Sequence, residues 1–250
     1  MQKSLFQDLP DWVNRVLRGI YNFSRSVYYS GNGRFCPVCG KTSRKFAAYG
    51  INPRADARCV HCGSLERHRF LWLFFTKKTN LFDQTPKKML HVAPEQCFEP
   101  RLKELIGQGY ITADLLDNHA MVKMDITDIQ YPADYFDVIY CSHVLEHVPD
   151  DKKAMREFHR VLKPDGWAIL LVPVDVEKTI EDPFMVDPTE RLKLFGQEDH
   201  VRVYGRDYVD RLRQAGFMVE VTKVSDLFGE EDIELMGLTR SSGDIYFCKK

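Results

Sequence analysis

The chain has 250 residues, a formal net charge of -1 and 44% apolar residues. These values fit one medium-sized globular domain with a small accessory module, and they exclude a disordered chain or a protein that coats nucleic acid through its overall charge. No apolar run reaches the roughly 18 residues that a membrane crossing requires, and the first residues lack the pattern of a secretory signal, so we expect a soluble, cytoplasmic protein.

Residues 1–30 are predicted to form an amphipathic helix. Apolar residues recur there at the spacing of one helical face, at Leu9, Trp12, Val13, Val16, Leu17, Ile20 and Tyr21. Arg15, Arg18 and Arg25 occupy other positions. Two roles stay open: packing on the protein's own domain, or docking of residues 11–28 on an anionic membrane surface or a partner.

Residues 31–80, the cysteine module, contain four of the seven cysteines as the pairs CPVC and CVHC. Cys36, Cys39, Cys59 and Cys62 would close a tetrahedral shell with no open position, which favours a structural Zn²⁺ over disulfides or a catalytic metal. His61 is expected to be a neighbour of this shell. Loss of the ion is expected to unfold the module and leave the following domain formed, because that domain has apolar strands of its own.

The cysteine module is also basic. Residues 34–70 contain eight basic residues against two acidic ones, a net charge of +6. Three anionic partners are compatible with this charge: RNA, a phosphorylated or nucleotide-linked acceptor, and the protein's own acidic surface. The segment SLERHRFLWLFF then predicts a helix capped by Ser64 that connects the module to the next domain.

Residues 86–250 alternate short apolar strands with helices. The strand patterns include KKMLHVA, YITADLL, VKMDI, YFDVIYCS and GWAILLVPV, and the helical ones include FEPRLKELIGQ and DDKKAMREFHRVL. This alternation predicts an α/β fold with a mostly parallel sheet and helices on both faces.

Ligands of such sheets bind beyond the carboxyl ends of the strands. The chain places Glu95 after the first strand, Asp114 after the second, Asp125 after the third, and Cys141, Ser142 and His143 after the fourth. A carboxylate after the second strand is suited to a ribose diol, and Asp125 with Ile126 to an adenine ring. Each acid alone is also compatible with a helix cap or a solvated loop charge.

Several of these segments resemble the ordered motifs of class I S-adenosylmethionine-dependent methyltransferases of the methyltransferase type 11-like group. The matching stretches are MLHVAPE, ITADLL, MDITDI, FDVIYCSHVLEHVPDDKKAMREFHRVLKPDGWAILLVPV and GDIYF. The resemblance implies a Rossmann-like, seven-stranded sheet whose last strand is antiparallel and inserted beside the fifth. It also implies that Asp114, with Leu115 beside it, holds the ribose of S-adenosylmethionine, that Asp125 and Ile126 hold the adenine, and that Ser142 and His143 flank the methyl-donating end.

The chain departs from this family at the first strand. His91 stands where members carry Asp or Glu, and Ala93, Pro94 and Glu95 replace a glycine-rich turn. Ala93 adds only one methyl group, and Pro94 fixes the turn. We therefore expect a remodelled cofactor site in which His91 and Ala93 take part and Glu95 faces the α-ammonium group.

Two groups are candidates for proton transfer. His143 follows the fourth strand beside the expected methyl group, and imidazoles titrate near neutral pH. The second is QEDHVRVYG, in a long segment after the fifth strand, where Asp199 or His200 would take a proton and Arg202 would hold an anionic acceptor. The alternatives are a helix-capping role for His143 and surface ion pairs in the second segment, and His147 is expected to be structural.

The sequence thus predicts a methyltransferase that acts on oxygen or nitrogen, with carbon as a third choice, of a small or carrier-linked acceptor such as a sugar. One alternative is a ribosomal-RNA base methyltransferase that binds RNA through the cysteine module. Another is a zinc-containing adaptor without catalysis, whose cofactor site is degenerate. Salt-sensitive RNA binding would favour the first alternative, and failure to bind S-adenosylmethionine the second.

Overall fold

The computed structural model describes residues 11–50, 52–182 and 184–250, so that Leu9 of the predicted apolar face lies outside the described residues. The first element is helix α1 (Asp11–Tyr29). Most of its apolar side chains are exposed, with Trp12 at 65% and Ile20 at 61% of full accessibility. Among the described residues, no helix combines the length and apolar character needed to span a membrane.

The cysteine module folds into two small antiparallel hairpins followed by a helix. Strand β1 (Arg34–Cys36) pairs with β2 (Lys41–Ser43), and β3 (Ala47–Tyr49) pairs with β4 (Arg54–Arg58). Helix α2 (Glu66–Lys78) has Leu65 as its N-terminal cap. The predicted cap, Ser64, is wrong, because its hydroxyl lies 3.1 Å from the Cys36 sulfur instead.

The rest of the chain alternates strands and helices in the following order. The elements are β5 (Met89–Val92), α3 (Glu99–Ile106), β6 (Tyr110–Asp114), β7 (Val122–Lys123), β8 (Phe136–Ser142), α4 (Asp151–Val161), β9 (Leu162–Leu171), β10 (Val174–Val176), β11 (Ile180–Glu181), α5 (Pro188–Phe195), β12 (Arg202–Gly205), α6 (Tyr208–Gln214), β13 (Met218–Thr222), α7 (Glu230–Met236) and β14 (Ile245–Lys249).

Seven of these strands form one sheet in the order β13-β14-β9-β8-β5-β6-β7. Strand β14 runs antiparallel to both neighbours, β13 and β9, and the remaining pairs are parallel. All four residues of β5 and six of the seven in β8 are buried, as central strands of a covered sheet should be. The predicted Rossmann-like α/β fold is confirmed. Its antiparallel last strand, β14, lies beside β9, which is the fifth strand of the predicted sheet.

The long segment after β9 is more ordered than the sequence indicated. Strand β12 pairs in parallel with β10 and antiparallel with β11, which makes a small second sheet. Arg202 at the start of β12 is 1% exposed and donates to the carbonyl oxygens of Leu145 (2.7 Å), Val148 and Pro149 (2.8 Å). Its predicted role of holding an anionic acceptor is wrong, because these bonds and Glu181 already occupy its donors.

Helix α2 belongs to the core of the large sheet. Phe75 is fully buried and packs against Tyr140 of β8 and Trp167 of β9, with ring centroids 5.7 and 6.1 Å apart. A single hydrophobic cluster joins Cys36 and Cys59 to these aromatic residues. The cysteine module and the sheet therefore share one core.

Candidate active site at the carboxyl ends of the strands

The chain leaves β5 through a left-handed turn at Ala93, whose φ is +49°. The Ala93 amide donates to the carbonyl oxygen of Ala113 at 2.8 Å, which fixes the turn against the end of β6. A residue with a Cβ adopts this conformation at a cost of about 1–2 kcal/mol. Ala93 thus takes the backbone geometry that a glycine would adopt more easily.

Glu95 folds back over the end of β5 into a hydrogen-bonded network. Its Oε2 lies 2.7 Å from His91 Nε2, and its Oε1 accepts the Tyr140 hydroxyl at 2.7 Å. The other nitrogen of His91 lies 2.7 Å from the Tyr110 hydroxyl. Burial raises the pKa of Glu95, but the His91 hydrogen bond and nearby positive charge outweigh it and bring the pKa to about 2. A carboxylate is therefore held ionised at the end of the strand.

Helix α2 contributes His68 to the same place, which the sequence analysis missed. His68 Nδ1 accepts the Leu65 amide at 3.1 Å, so Nε2 carries the proton, and Nε2 lies 3.8 Å from Glu95 Oε1. This buried Nε2 has no hydrogen-bond partner among the described residues. Burial lowers the pKa of His68 to about 4, and the charge of Arg67 adds to this effect.

Neutral burial of His68 makes stability depend on pH. The unfolded chain protonates this imidazole below about pH 6.5 and the folded chain only below about pH 4. As the pH is lowered through that window, the free energy of unfolding should therefore fall by about 1.4 kcal/mol per pH unit. Urea unfolding of the parent and of His68→Asn, which keeps an acceptor for the Leu65 amide, measures the difference. Equal pH dependence of the two proteins between pH 6.5 and 4 would remove His68 as the cause.

The two predicted nucleoside carboxylates brace their own turns with one oxygen each. Asp114 Oδ1 accepts the amides of Leu116 and Asp117 at 2.7 and 2.8 Å. Asp125 Oδ1 accepts the amide and hydroxyl of Thr127, both at 2.8 Å. Within the described residues the second oxygen of each carboxylate accepts no hydrogen bond, which leaves it free for a ligand.

The apolar partners of these carboxylates differ in exposure. Leu115, beside Asp114, is 48% exposed, whereas Ile126, beside Asp125, is 5% exposed. An exposed leucine next to a free carboxylate oxygen offers apolar surface to a ligand beyond the strand ends. Ile126 instead packs in the core and anchors the turn that carries Asp125.

Ser142 and His143 follow β8 directly. The Ser142 Oγ is buried and has no hydrogen-bond partner among the described residues. His143 is left-handed, with φ +55°, and its amide donates to the Leu171 carbonyl oxygen at 2.9 Å. Its Nδ1 lies 3.3 Å from Oε1 of Glu146, a carboxylate that is 1% exposed. Glu146, not singled out from the sequence, therefore orients this imidazole.

Asp199 and His200 lie beside the same turn. His147 Nδ1 is 3.2 Å from Asp199 Oδ2, and the rings of His147 and His200 are edge-to-face with centroids 4.6 Å apart. Burial lowers the pKa of His200, and the charge of His147 adds to this. Both sets of predicted proton-transfer residues thus meet around Glu146.

The four cysteines of the module converge as predicted. The Cys36 and Cys62 sulfurs are 3.7 Å apart and those of Cys39 and Cys59 are 3.8 Å apart. A ZnS₄ tetrahedron with bonds near 2.3 Å has edges of about 3.8 Å, so the residues fit the ion. His61 instead faces the Thr42 carbonyl oxygen, 3.1 Å from its Nε2.

Glycines set the backbone of both cysteine pairs. Gly40 and Gly63 are left-handed, with φ +68° and +77°. Their amides donate to the carbonyl oxygens of Cys36 and Cys59 at 2.8 and 3.0 Å. Residues with a Cβ seldom adopt this conformation, so glycine is what allows each pair to turn tightly enough to direct two sulfurs at one point.

Part of the module's positive charge is balanced internally. Arg34 pairs with Asp56 at 2.9 Å and Arg54 with Glu66 at 3.1 Å. Two of the other basic residues stack on an exposed tyrosine of α1: Arg44 lies 4.5 Å and Lys45 4.9 Å from the Tyr28 ring centroid. The predicted contact with the protein's own acids accounts for Arg34 and Arg54, and it leaves Arg44 and Lys45 available to an anionic partner.

A family model described as "Methyltransferase domain" matches residues 29–222. Among curated proteins, a ubiquinone/menaquinone biosynthesis C-methyltransferase of Vibrio campbellii is 39% identical over 69 residues, which cover 28% of this chain and 26% of that protein. An uncharacterized methyltransferase of Bacillus subtilis is 38% identical over 117 residues, 42% of this chain and 45% of that protein. The chain thus spans less than half the length of these relatives.

The chain is also similar to solved structures. The S-adenosylmethionine-dependent methyltransferase of Mesorhizobium loti covers 72% of this chain and 97% of its own, with 13% identity and a TM-score of 0.47. A methyltransferase of the same description from Archaeoglobus fulgidus covers 72% of this chain and 93% of its own, with 13% identity and a TM-score of 0.46.

Proposed function

This chain belongs to the methyltransferase domain family, and from that premise we propose that it moves the methyl group of S-adenosylmethionine to an oxygen, a nitrogen or, as a third choice, a carbon atom of a small or carrier-linked acceptor such as a sugar. The observation that carries the proposal is a pair of unpartnered polar atoms at the strand ends. His68 Nε2 and Ser142 Oγ are both buried and both lack a partner in the described part of the chain. A buried polar atom without a partner calls for an explanation, and two of them at the carboxyl ends of the strands are accounted for by a ligand bound there.

The surrounding residues fit the cofactor. Those that would hold it are Asp114 and Leu115 at the ribose, Asp125 on the turn that Ile126 anchors at the adenine, His91, Ala93 and Glu95 at the methionine end, and Ser142 and His143 at the methyl end. When bound, S-adenosylmethionine supplies an electrophilic methyl carbon. The enzyme's own contribution is to position the acceptor and exclude water.

Glu95 replaces the acid that the family carries at the position of His91. Its carboxylate lies 2.7 Å from the His91 ring and is ionised at neutral pH. A negative charge thus returns to the end of the first strand from four residues further along the chain. We propose that this charge attracts the α-ammonium group of the cofactor.

His143 is the proposed proton acceptor for a hydroxyl substrate. Glu146 occupies the Nδ1 side of the imidazole and leaves Nε2 to take the proton, while the 35% exposed side chain stays open to an acceptor. Asp199 and His200 remain the second proposed pair. A His143→Ala variant should lose turnover and weaken cofactor affinity only slightly, because His143 contacts only the methyl end, and equal losses of turnover and affinity would leave His143 as a binding residue alone.

Cofactor binding is tested by calorimetric titration with S-adenosylmethionine and S-adenosylhomocysteine. Asp114→Ala should weaken binding by about 1.5–3 kcal/mol, the range for lost hydrogen bonds involving a charged group. Asp114→Asn keeps an acceptor for the Leu116 and Asp117 amides, so it separates ligand contact from turn stability. Asp117→Ala, an exposed acid of the same turn, is the matched control.

The outcomes of this titration separate the hypotheses. Unchanged affinity in both Asp114 variants would refute the ribose assignment. A parent protein that binds neither ligand would refute the proposed function and favour the zinc adaptor. Binding of RNA that weakens steeply with salt, beside intact cofactor binding, would favour RNA as the acceptor.

We also propose that Cys36, Cys39, Cys59 and Cys62 hold a structural Zn²⁺. The sulfur spacing supports this proposal, as does the position of two sulfurs within the hydrophobic core.

Docking of residues 11–28 on an anionic membrane is likewise a proposal, supported by the exposed apolar side chains of α1 and the neighbouring Arg44 and Lys45. We expect the protein to sediment with anionic vesicles and not with neutral ones, and sedimentation with neither kind would contradict the proposal.

A further inference from the structure

Glu146, His147 and His200, the imidazole cluster, bring three ligand atoms together outside the cysteine module. One carboxylate oxygen and one nitrogen from each ring lie within 4.8 Å of one another. Glu146 is 1% exposed, and its Oε2 is buried without a hydrogen-bond partner among the described residues. A buried carboxylate oxygen in this state is costly unless a cation or donor completes it.

Both imidazoles have an acceptor beside Nδ1, as ligating imidazoles usually have. His147 Nδ1 lies 3.2 Å from Asp199 Oδ2, and His200 Nδ1 lies 3.3 Å from the Phe195 carbonyl oxygen. Because these acceptors favour a proton on each Nδ1, each Nε2 is left with its lone pair. A carboxylate or carbonyl behind the ligating imidazole is the common outer partner of protein metal sites.

The cluster is also held rigidly. The Val201 amide donates to the Glu146 carbonyl oxygen at 3.0 Å, and Arg202 bonds three carbonyl oxygens of residues 145–149. The turn that carries Glu146 and His147 is thereby tied to the segment that carries His200. Side chains placed by a fixed backbone lose little further freedom when they bind an ion.

We propose that the imidazole cluster binds a divalent first-row transition-metal ion, separate from the ion of the cysteine module. Two imidazoles and one carboxylate suit such ions better than Mg²⁺ or Ca²⁺, which prefer oxygen ligands. Three protein ligands leave open coordination positions. The site adjoins His143, so an acceptor hydroxyl bound to the ion would lose its proton to His143 more readily, a role that rests on the proposed methyl transfer.

Cobalt binding to the full chain, purified with its zinc, tests the site without any activity assay. We expect one Co²⁺ per chain by equilibrium dialysis beyond the zinc measured by elemental analysis. Its visible spectrum should show weak d–d bands without the strong thiolate charge-transfer absorption that cobalt in the cysteine site would give. The spectrum therefore identifies which of the two sites has been filled.

Variants locate the ion. Glu146→Gln and the double variant His147→Ala with His200→Ala should lose the cobalt and keep the zinc, whereas Asp199→Asn should weaken cobalt binding about 10–100-fold. His119→Ala, an exposed histidine elsewhere, should bind cobalt like the parent. A parent that takes up no cobalt beyond its zinc, or a double variant that keeps it, would overturn the proposal.

Discussion

Replacing Cys36 and Cys59 together with serine is expected to release the metal and to destabilise the whole chain. Structural zinc contributes an apparent 10–16 kcal/mol in small metal-dependent folds, about as much as the entire stability of a typical domain. From sequence alone, only residues 31–80 were expected to unfold. The structure changes this expectation, because both sulfurs lie in the hydrophobic cluster that includes the central strands.

Elemental analysis and urea unfolding measure this outcome. Cys248→Ser is the matched control, since that thiol is equally buried and lies far from the metal ligands in the sheet. It should keep its zinc, and its free energy of unfolding should fall only by the smaller cost of burying a serine hydroxyl. A double variant that retains zinc would show that the ligands are wrong, and one whose sheet unfolds at the parent's urea concentration would show two independent cores.

Arg69→Leu is the second substitution with a large expected effect, a loss of about 3–5 kcal/mol in unfolding free energy. The fully buried guanidinium donates to the carbonyl oxygens of Ala57 (2.9 Å), Ser64 (3.0 Å), Met236 (2.7 Å) and Gly237 (2.9 Å). Leucine would fill much of the volume and leave these acceptors buried without partners, at about 1–3 kcal/mol for each one that water cannot reach.

Arg69 also joins distant parts of the chain. Two of its acceptors belong to the cysteine module and two lie at the end of α7. Lys78→Ala, an exposed change on the same helix, should alter stability by less than about 0.5 kcal/mol. Urea unfolding of both variants is the measurement, and a similar midpoint for Arg69→Leu and the parent would contradict the assigned bonds.

The sequence was most informative where the information is local. Strand periodicity and the paired cysteines predicted the α/β class and the convergence of Cys36 and Cys59. The order of the strands came from the resemblance to a family. Residues whose role depends on distant contacts were missed, because nothing local marks them: His68 reaches Glu95 only through the packing of α2.

The segment after β9 illustrates the same limit. Its charged residues predicted proton transfer or, alternatively, surface ion pairs, and Arg202 was assigned to an acceptor. In the structure its guanidinium binds carbonyl oxygens more than fifty positions earlier in the chain, which no sequence spacing reveals. Glu146 was overlooked although it lies only three residues from its partner His143, because the sequence does not show that this carboxylate is buried.

The shared core sets where this protein could be divided. A fragment beginning at residue 86 would lack α2, whose Phe74 and Phe75 pack on Phe247, Tyr140 and Trp167. The aromatic face that this fragment uncovers would be a surface for self-association. Recombinant boundaries, fusion partners and swapped recognition modules must therefore be joined ahead of the first cysteine pair, because residues 31–80 are a layer of the fold and not an attachment to it.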